Sequence, residues 1–347
     1  MILMHRHIMS LIILFLLGGA AGFFSVPAWS YDAGRDEVVT RYLDFQEVAI
    51  TEGAEPQVQD NDVPAEPPDV KETYIGQQER FFVAPSTEPN RHSFNADYEM
   101  YNYGYQETVQ GQKFMNTKGA YSGFSANYAY HPDAHSNPFY EFVDEVRLQG
   151  LLASGDVDYT GSGTFSGLKD RMYELRALVA KSYSLDGGIT AIPYLGLGYR
   201  YLNNGLEAYQ PGGYNRESRY FYLPAGGDLR KQIGGGWGLA MNLEYDRLLK
   251  GEQTSHAEDM DPSLDPLVNN QSDGYGIRGS LKVSKEFDKK WNIFVEPFIR
   301  YWNIKESDVK PITSGGVQVC DPSGDCWSGS EPDNVTQEIG LKMGIGF

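Results

Sequence analysis

The last thirteen residues of the chain, Val335–Phe347, alternate between large apolar side chains and small or polar ones, with Gln337 as the one exception. Successive side chains of a β-strand point to opposite faces, so this period of two predicts a strand with one apolar and one polar face. The same alternation recurs upstream, for example in 189–201, 237–247 and 291–302. The chain is therefore predicted to be an all-β protein whose strands share one apolar surface.

Ten strands are predicted from about residue 93 onward, joined alternately by tight turns and by longer loops. The predicted turns are 186–188, 234–236 and 287–290, with a slightly longer one at 131–138. The predicted strands are 93–107, 117–130, 139–158, 170–185, 189–202, 217–231, 237–249, 273–286, 291–305 and 334–347, and the predicted long loops are 108–116, 159–169, 203–216, 250–272 and 306–333. A soluble β-sandwich would alternate too, but it rarely uses strands this long. Short turns at one end and long loops at the other are typical of membrane-spanning barrels.

Several strand segments, and the last strand with its terminal Phe347, resemble Gram-negative outer-membrane β-barrel proteins of small strand number. The segments are Tyr194–Leu202, Arg219–Pro224, Glu244–Asp246 and Glu296–Trp302. The resemblance implies a closed antiparallel transmembrane β-barrel of about ten strands over 91–347, porin-like in architecture. It also implies that Phe347 marks the strand used by the barrel-assembly machinery, and that the barrel contacts outer-membrane lipid and lipopolysaccharide. It implies no activity.

The first thirty residues have the organisation of a secretory signal peptide. The basic run His5–His7 precedes an apolar stretch, and Ala28 and Ser30 supply the small residues of a cleavage site after Ser30. The apolar core Leu11–Phe24 is shorter than the roughly 20 residues that a spanning helix needs. We therefore expect residues 1–30 to be removed during export to the outer membrane.

Residues 31–90 differ in composition from the rest of the chain. They hold 14 acidic and four basic side chains, and proline interrupts them repeatedly. Such a segment cannot bury enough apolar area to offset the entropy of ordering, so we predict a largely disordered periplasmic region. The whole chain carries a formal charge of −18, which argues against nucleic acid as a partner. In the oxidising periplasm Cys320 and Cys326 are predicted to form a disulfide.

The polar faces of the predicted strands place equal numbers of acidic and basic side chains inside the barrel. The acidic ones are Glu99, Glu145, Glu174, Glu244, Asp246, Glu296 and Glu338, and the basic ones are Arg147, Arg176, Arg200, Arg278, Lys282, Arg300 and Lys342. A ten-stranded barrel has a narrow lumen, and unpaired charges buried there are costly. This balance favours a lumen filled by paired charges and a structural or surface-interaction role. The alternative is a narrow channel for ions or small solutes.

Two features of the predicted loop 250–272 point to other functions. His256 is the only histidine expected at the extracellular rim, where omptin-type proteases, which are also ten-stranded barrels, carry their catalytic groups; no matching pair of aspartates stands out. Asp259, Asp261 and Asp265 offer oxygen ligands for Ca²⁺, but a solvated acidic loop is the favoured interpretation and no metal site is predicted. No catalytic residue and no cofactor is predicted.

Overall fold

The structure of the protein is a computed structural model, which describes residues 91–132, 141–206, 213–287 and 291–347. The predicted signal peptide, residues 1–30, and the predicted acidic segment, residues 31–90, lie outside the described residues. Within the described residues, no helix has the length and apolar character needed to cross a bilayer.

Ten long antiparallel strands dominate the described part of the chain, and each is 14 to 20 residues long. They are β1 (His92–Val109), β2 (Gln112–Tyr130), β3 (Glu145–Thr160), β4 (Thr164–Ala180), β5 (Ile189–Gly205), β6 (Asn215–Gly234), β7 (Trp237–Ser255), β8 (Gly274–Phe287), β9 (Trp291–Ile304) and β10 (Asp333–Gly346).

The strands close into a barrel because the last strand pairs with the first. Each strand pairs with its neighbour in sequence, and β10 pairs with β9 on one side and with β1 on the other. Tyr98 lies opposite Met343 in this closing pair, and Phe94 and Phe347 exchange two backbone hydrogen bonds of 2.8 and 3.1 Å. Closure leaves no unpaired edge along these strands, which confirms the predicted closed ten-stranded fold.

The side chains divide cleanly between the two faces of the barrel wall. Along β7, for example, Leu243 and Tyr245 are exposed on the outside, whereas Glu244 and Asp246 are buried inside. Outward apolar residues occur on every side of the barrel, among them Met100, Phe124, Leu152, Leu175, Leu197, Phe221, Leu243, Leu281, Val295 and Ile339. The core of the molecule is therefore the lumen, and the apolar surface faces outward.

Two of the five predicted long loops are tight turns. β1 and β2 continue through the predicted loop 108–116 and join at Gln110 and Gly111, which have positive φ angles of 51° and 78°. β3 and β4 continue through most of 159–169 and are joined by residues 161–163. These predictions were wrong because buried, inward side chains near these turns, such as Met115 and Leu168, are apolar, so the alternation of polar inward and apolar outward residues does not continue there.

One predicted strand begins too early and another ends too late. The strand predicted at 139–158 starts only at Glu145, because the Asp144 carboxylate accepts the backbone N–H of Ser182 at 3.0 Å and fixes the chain there. The strand predicted at 170–185 ends at Ala180, and Tyr183–Leu185 forms a separate short strand against β5. The connection from β2 to β3 is consequently longer than predicted.

The remaining long connections lie at the end of the barrel opposite the termini. We call this the loop end, and we call the end where β1 begins and β10 finishes the terminal end. Within the connection from β7 to β8, Leu267–Gln271 pairs with the last residues of β7. The connection from β9 to β10 contains two small hairpins, Lys310–Pro311 with Ser328–Gly329 and Thr313–Ser314 with Val317–Gln318. The described part of the loop end thus combines short β-pairings with turns and a short 3-10 helix, Ala257–Asp259.

Candidate functional site

All fourteen charged residues of the predicted lumen network lie inside the barrel. Eleven of them are buried, and the side chains of Arg176, Lys282 and Lys342 are nearly so. Each makes an ion pair in the barrel interior. The alternation of polar and apolar residues along each strand is what brings them together.

Two arginines at the middle of the barrel bind most of the carboxylates there. Arg278 lies 2.6 Å from both Glu174 and Asp246. It also lies 3.1 Å from Glu244. Arg300 binds Glu99 at 2.6 Å and Glu338 at 2.9 Å, and Glu338 in turn accepts a hydrogen bond from Arg200. This central ion-pair layer links strands from around the whole barrel.

The pairing itself does not follow proximity in the sequence. Glu145 does bind Arg147, two residues away, at 2.6 Å. Glu174, however, binds Arg278 rather than Arg176, whose own partner is Glu244. Glu296 lies against Lys282 at 3.2 Å and Lys342 at 4.0 Å rather than against Arg300. Partners on different strands are set by the closure of the barrel, which is why a list of faces could not assign them.

An aromatic and apolar layer fills the lumen on the loop side of the central ion-pair layer. Tyr222 and Trp302 meet edge to face at 5.1 Å between ring centroids, and Tyr103 and Tyr121 lie 4.6 Å apart. Tyr222 fits because Gly198 has no side chain, since a Cβ at this position would lie 2.1 Å from the tyrosine ring. The buried residues of this aromatic layer include Tyr101, Tyr103, Tyr121, Val157, Met172, Leu202, Tyr220, Tyr222, Leu248, Trp302 and Ile304.

Sequence reasoning missed the aromatic layer, although a signal for it existed. Tyr101 and Tyr103 have the same parity along β1 as Glu99, so the alternation already placed them inside. Inward aromatic residues contradict the expectation that a lumen is polar throughout. Only the charged positions were therefore assigned to the interior.

A third cluster closes the lumen at the loop end. Arg216 lies 2.6 Å from Glu107 and also binds Glu331, which accepts a hydrogen bond from Ser255 at 3.2 Å. Burial raises the pKa of the Glu331 carboxyl, although the Arg216 guanidinium opposes this effect. These residues fell within or beside predicted loops, so no sequence pattern placed them in the barrel.

Among the residues that the structure describes, none fills the terminal half of the lumen. A cavity of about 310 Å³ extends inward from the rim near His131 and Ser182 to Glu174, Arg278 and Arg300 of the central ion-pair layer. Its walls are rich in hydroxyl, amide and charged groups. We call this cavity the cup. Among the described residues, the lumen is thus a recess on the terminal side, and the central ion-pair layer, the aromatic layer and the cluster around Arg216 fill it toward the loop end.

The loop end carries the predicted disulfide and the three aspartates considered for Ca²⁺. Cys320 and Cys326 are joined by a disulfide. Asp265 accepts hydrogen bonds from Thr313 and from the backbone of the Gly315–Gly316 turn, which hold its pKa below the ordinary value; the Gly316 N–H contributes most. Asp261 accepts the N–H of Ser263, and Asp259 accepts that of Asn215. Asp261 therefore stabilises its own turn, whereas Asp259 and Asp265 each connect this loop to another segment of the loop end.

No group of three or more His, Cys, Asp or Glu side chains in the described parts of the chain could hold a metal ion. The three aspartates of the loop end accordingly do not converge on one point.

His256 lies at the loop end between two glutamates. Its Nδ1 atom is 2.9 Å from Glu258, and its Nε2 atom is 3.7 Å from Glu217. Partial burial favours the neutral imidazole, but the hydrogen bond to Glu258 and the charges of both glutamates outweigh it and raise the pKa of His256. The contacts of the imidazolium therefore stabilise this loop at low pH.

A raised histidine pKa gives this loop a defined pH dependence. The stabilisation is complete below the ordinary histidine pKa of 6.5 and is lost as the pH rises through the higher value in the folded protein. We expect hydrogen-exchange protection factors in 256–261 to be larger at pH 5.5 than at pH 8.5, whereas His256→Gln should show no such difference. Equal protection of the wild-type loop at both pH values would contradict this assignment.

Comparisons with known proteins find similarity in fold alone. No family model matches the chain, and no curated protein matches it. The outer-membrane protease OmpT from Escherichia coli is similar with a TM-score of 0.47 and 9% identity, covering 76% of this chain and 99% of OmpT. The β-domain of the Bordetella autotransporter BrkA has a TM-score of 0.35 and 13% identity, covering 74% of this chain and 99% of that domain. The outer-membrane protein OprG from Pseudomonas aeruginosa has a TM-score of 0.27 and 10% identity, covering 74% of this chain and 95% of OprG. These three are outer-membrane proteins of different kinds, and at such scores they carry no argument about activity.

Proposed function

We propose that the protein is an outer-membrane β-barrel that does not conduct solutes and that acts through its loop end. The observation that carries the proposal is the double closure of the lumen by the central ion-pair layer and the aromatic layer. The predicted signal peptide, cleaved after Ser30, would direct export. The strand ending at Phe347 would be recognised by the barrel-assembly machinery.

The outer face of the barrel supports a lipid environment. Its middle is covered by Leu, Ile, Val and Phe side chains that a soluble protein would bury. Outward tyrosines stack in pairs on the loop side of this band. The ring centroids of Tyr173 and Tyr201 are 5.6 Å apart and those of Tyr245 and Tyr275 are 6.0 Å apart, and such aromatic residues are typical of the interface between membrane and water. We infer contact with outer-membrane lipid and with lipopolysaccharide at this belt.

The loop end supports a role as a contact surface. Its hairpins are held in place by the disulfide and by the contacts of Asp265, while Val309, Val317 and Trp327 stay exposed at its tip. An ordered surface loses little conformational entropy on binding, which suits recognition. The proposal includes no catalytic step; an omptin-like protease that used His256 as its base would lose peptide cleavage in a His256→Ala variant.

The orientation can be tested with two epitope tags. A tag inserted between Gly315 and Gly316, at the tip of a loop-end hairpin, should bind antibody on intact cells. A tag placed before Tyr31 should be detected only after the outer membrane is permeabilised. The opposite pattern would exclude the loop end as the extracellular surface.

The closed lumen can be tested separately from orientation. Liposomes that contain the protein should swell in isosmotic arabinose no faster than empty liposomes. Rapid swelling would support the alternative, a narrow channel for ions or small solutes.

A further inference from the structure

The cup has an uneven distribution of charge across its surface. Side chains from β6 to β1 form one row across the sheet: Arg230 and Lys282 lie on either side of Ala240, and Glu296, Lys342 and Glu99 follow. Ala240 is the only small residue in this row. It leaves a notch in the wall of the cup between two cations.

The cations of this row are more accessible than the carboxylates that pair with them. The side chains of Lys342, Lys282 and Arg230 are 22%, 17% and 16% exposed. The side chains of Asp228, Glu296 and Glu99 are 12%, 11% and 0% exposed. In each pair of this row the cation is therefore the more exposed member, although acidic and basic side chains line the cup in equal number.

Lys342 is the cation of this row that its carboxylates hold least closely. Its Nζ atom lies 4.0 Å from both Glu99 and Glu296, beyond hydrogen-bond distance. These two acids are bound at shorter range by other cations, Glu99 by Arg300 at 2.6 Å and Glu296 by Lys282 at 3.2 Å. The ammonium of Lys342 can therefore donate into the cup without breaking either pair.

We propose that the cup binds a small organic anion, a carboxylate or a phosphate ester, that enters from the terminal end. The oxyanion lies over Ala240 between Arg230 and Lys282, within reach of Lys342. Asn242 also lines the cup; its amide group donates to Tyr194 and Asp228, so its Oδ1 atom is the one that can accept a hydrogen bond from a hydroxyl of the ligand. A cavity of about 310 Å³ lies at the small end of the range for ligand pockets, which suits a small ligand.

Calorimetric titration of the full-length mature protein in a zwitterionic detergent tests the proposal, with sodium succinate and inorganic phosphate as separate probes. We expect at least one probe to bind, and to bind more weakly as NaCl is raised. Binding of succinate alone assigns a carboxylate ligand, and binding of phosphate alone assigns a phosphate ester. Probe concentrations of about 10 mM detect even millimolar affinity, so no heat of binding from either probe at that concentration would overturn the proposal.

Two variants, each with a control, locate the binding to the notch. Lys282→Gln should weaken it at least tenfold, whereas Lys250→Gln, which removes an exposed lysine on the outside of the barrel, should leave it unchanged. Ala240→Glu places a carboxylate between the two cations and should abolish binding, while raising the denaturation midpoint above that of Ala240→Gln. Folding of every variant is checked by the shift in gel mobility on heating. Binding that persists in both Lys282→Gln and Ala240→Glu would place the anion elsewhere and overturn the proposal.

Discussion

Replacing Arg278 with alanine should lower the free energy of unfolding by about 3–5 kcal/mol, the cost expected when one partner of a buried ion pair is removed. The variant leaves Glu174 and Asp246 in the lumen without their nearest cation. It also removes the hydrogen bond, 3.0 Å long, that the guanidinium donates to Tyr222 of the aromatic layer. The measurement is a urea titration of the protein folded in lipid vesicles, followed by tryptophan fluorescence.

Arg247→Ala is the matched control for this experiment. Arg247 is also on a barrel strand and pairs with Asp273 at 3.0 Å, but both side chains are at least half exposed on the outside. Exposed pairs contribute roughly 0–1 kcal/mol, so this variant should unfold almost as the wild type does. Equal, small effects of the two substitutions would mean that the central ion-pair layer does not hold the barrel together.

Replacing Leu281 with arginine should cost about 2–4 kcal/mol, as expected for a charge placed on the lipid face near the bilayer midplane. Leu281 points outward from the middle of β8, opposite Met241 of β7. The measurement is again the free energy of unfolding from lipid vesicles.

Val317→Arg provides the control for the lipid-face variant. Val317 is also exposed but lies in a loop-end hairpin, so the same substitution should change stability by less than about 0.5 kcal/mol. If Leu281→Arg were as neutral as Val317→Arg, the outer face of the barrel would be in contact with water.

The sequence was sufficient for the barrel wall but not for its filling. Alternation identified the ten strands and assigned Glu244 inward and Leu243 outward, because each strand contacts two different media. It failed at the turns near Gly111 and Gly161–Gly163. Near the second turn the inward side chains, such as Leu168, are apolar and the outward ones, such as Lys169, are polar, so the polar and apolar faces of the strand exchange places there.

Pairing within the lumen depends on distances that no single strand encodes. Glu174 and Arg278 are 104 residues apart in the chain, and they meet only because the closed barrel brings β4 and β8 to a common centre. The cluster of Arg216, Glu107 and Glu331 was not predicted either. Its members are far apart in the chain, and Glu331 also lies outside the strands. A sequence pattern can give the face on which a charge lies, whereas its partner follows from the register around the whole barrel.

The most direct test of the closed lumen is single-channel recording on the mature protein in planar lipid bilayers, with insertion verified by the heat-dependent gel mobility of the same preparation. The central ion-pair layer and the aromatic layer leave the cup without an exit on the loop side, so we expect no steady conductance steps at voltages up to about 100 mV, which supply roughly 2.3 kcal/mol per charge. Reproducible steps of uniform size would show a continuous water path through the barrel and would contradict the account.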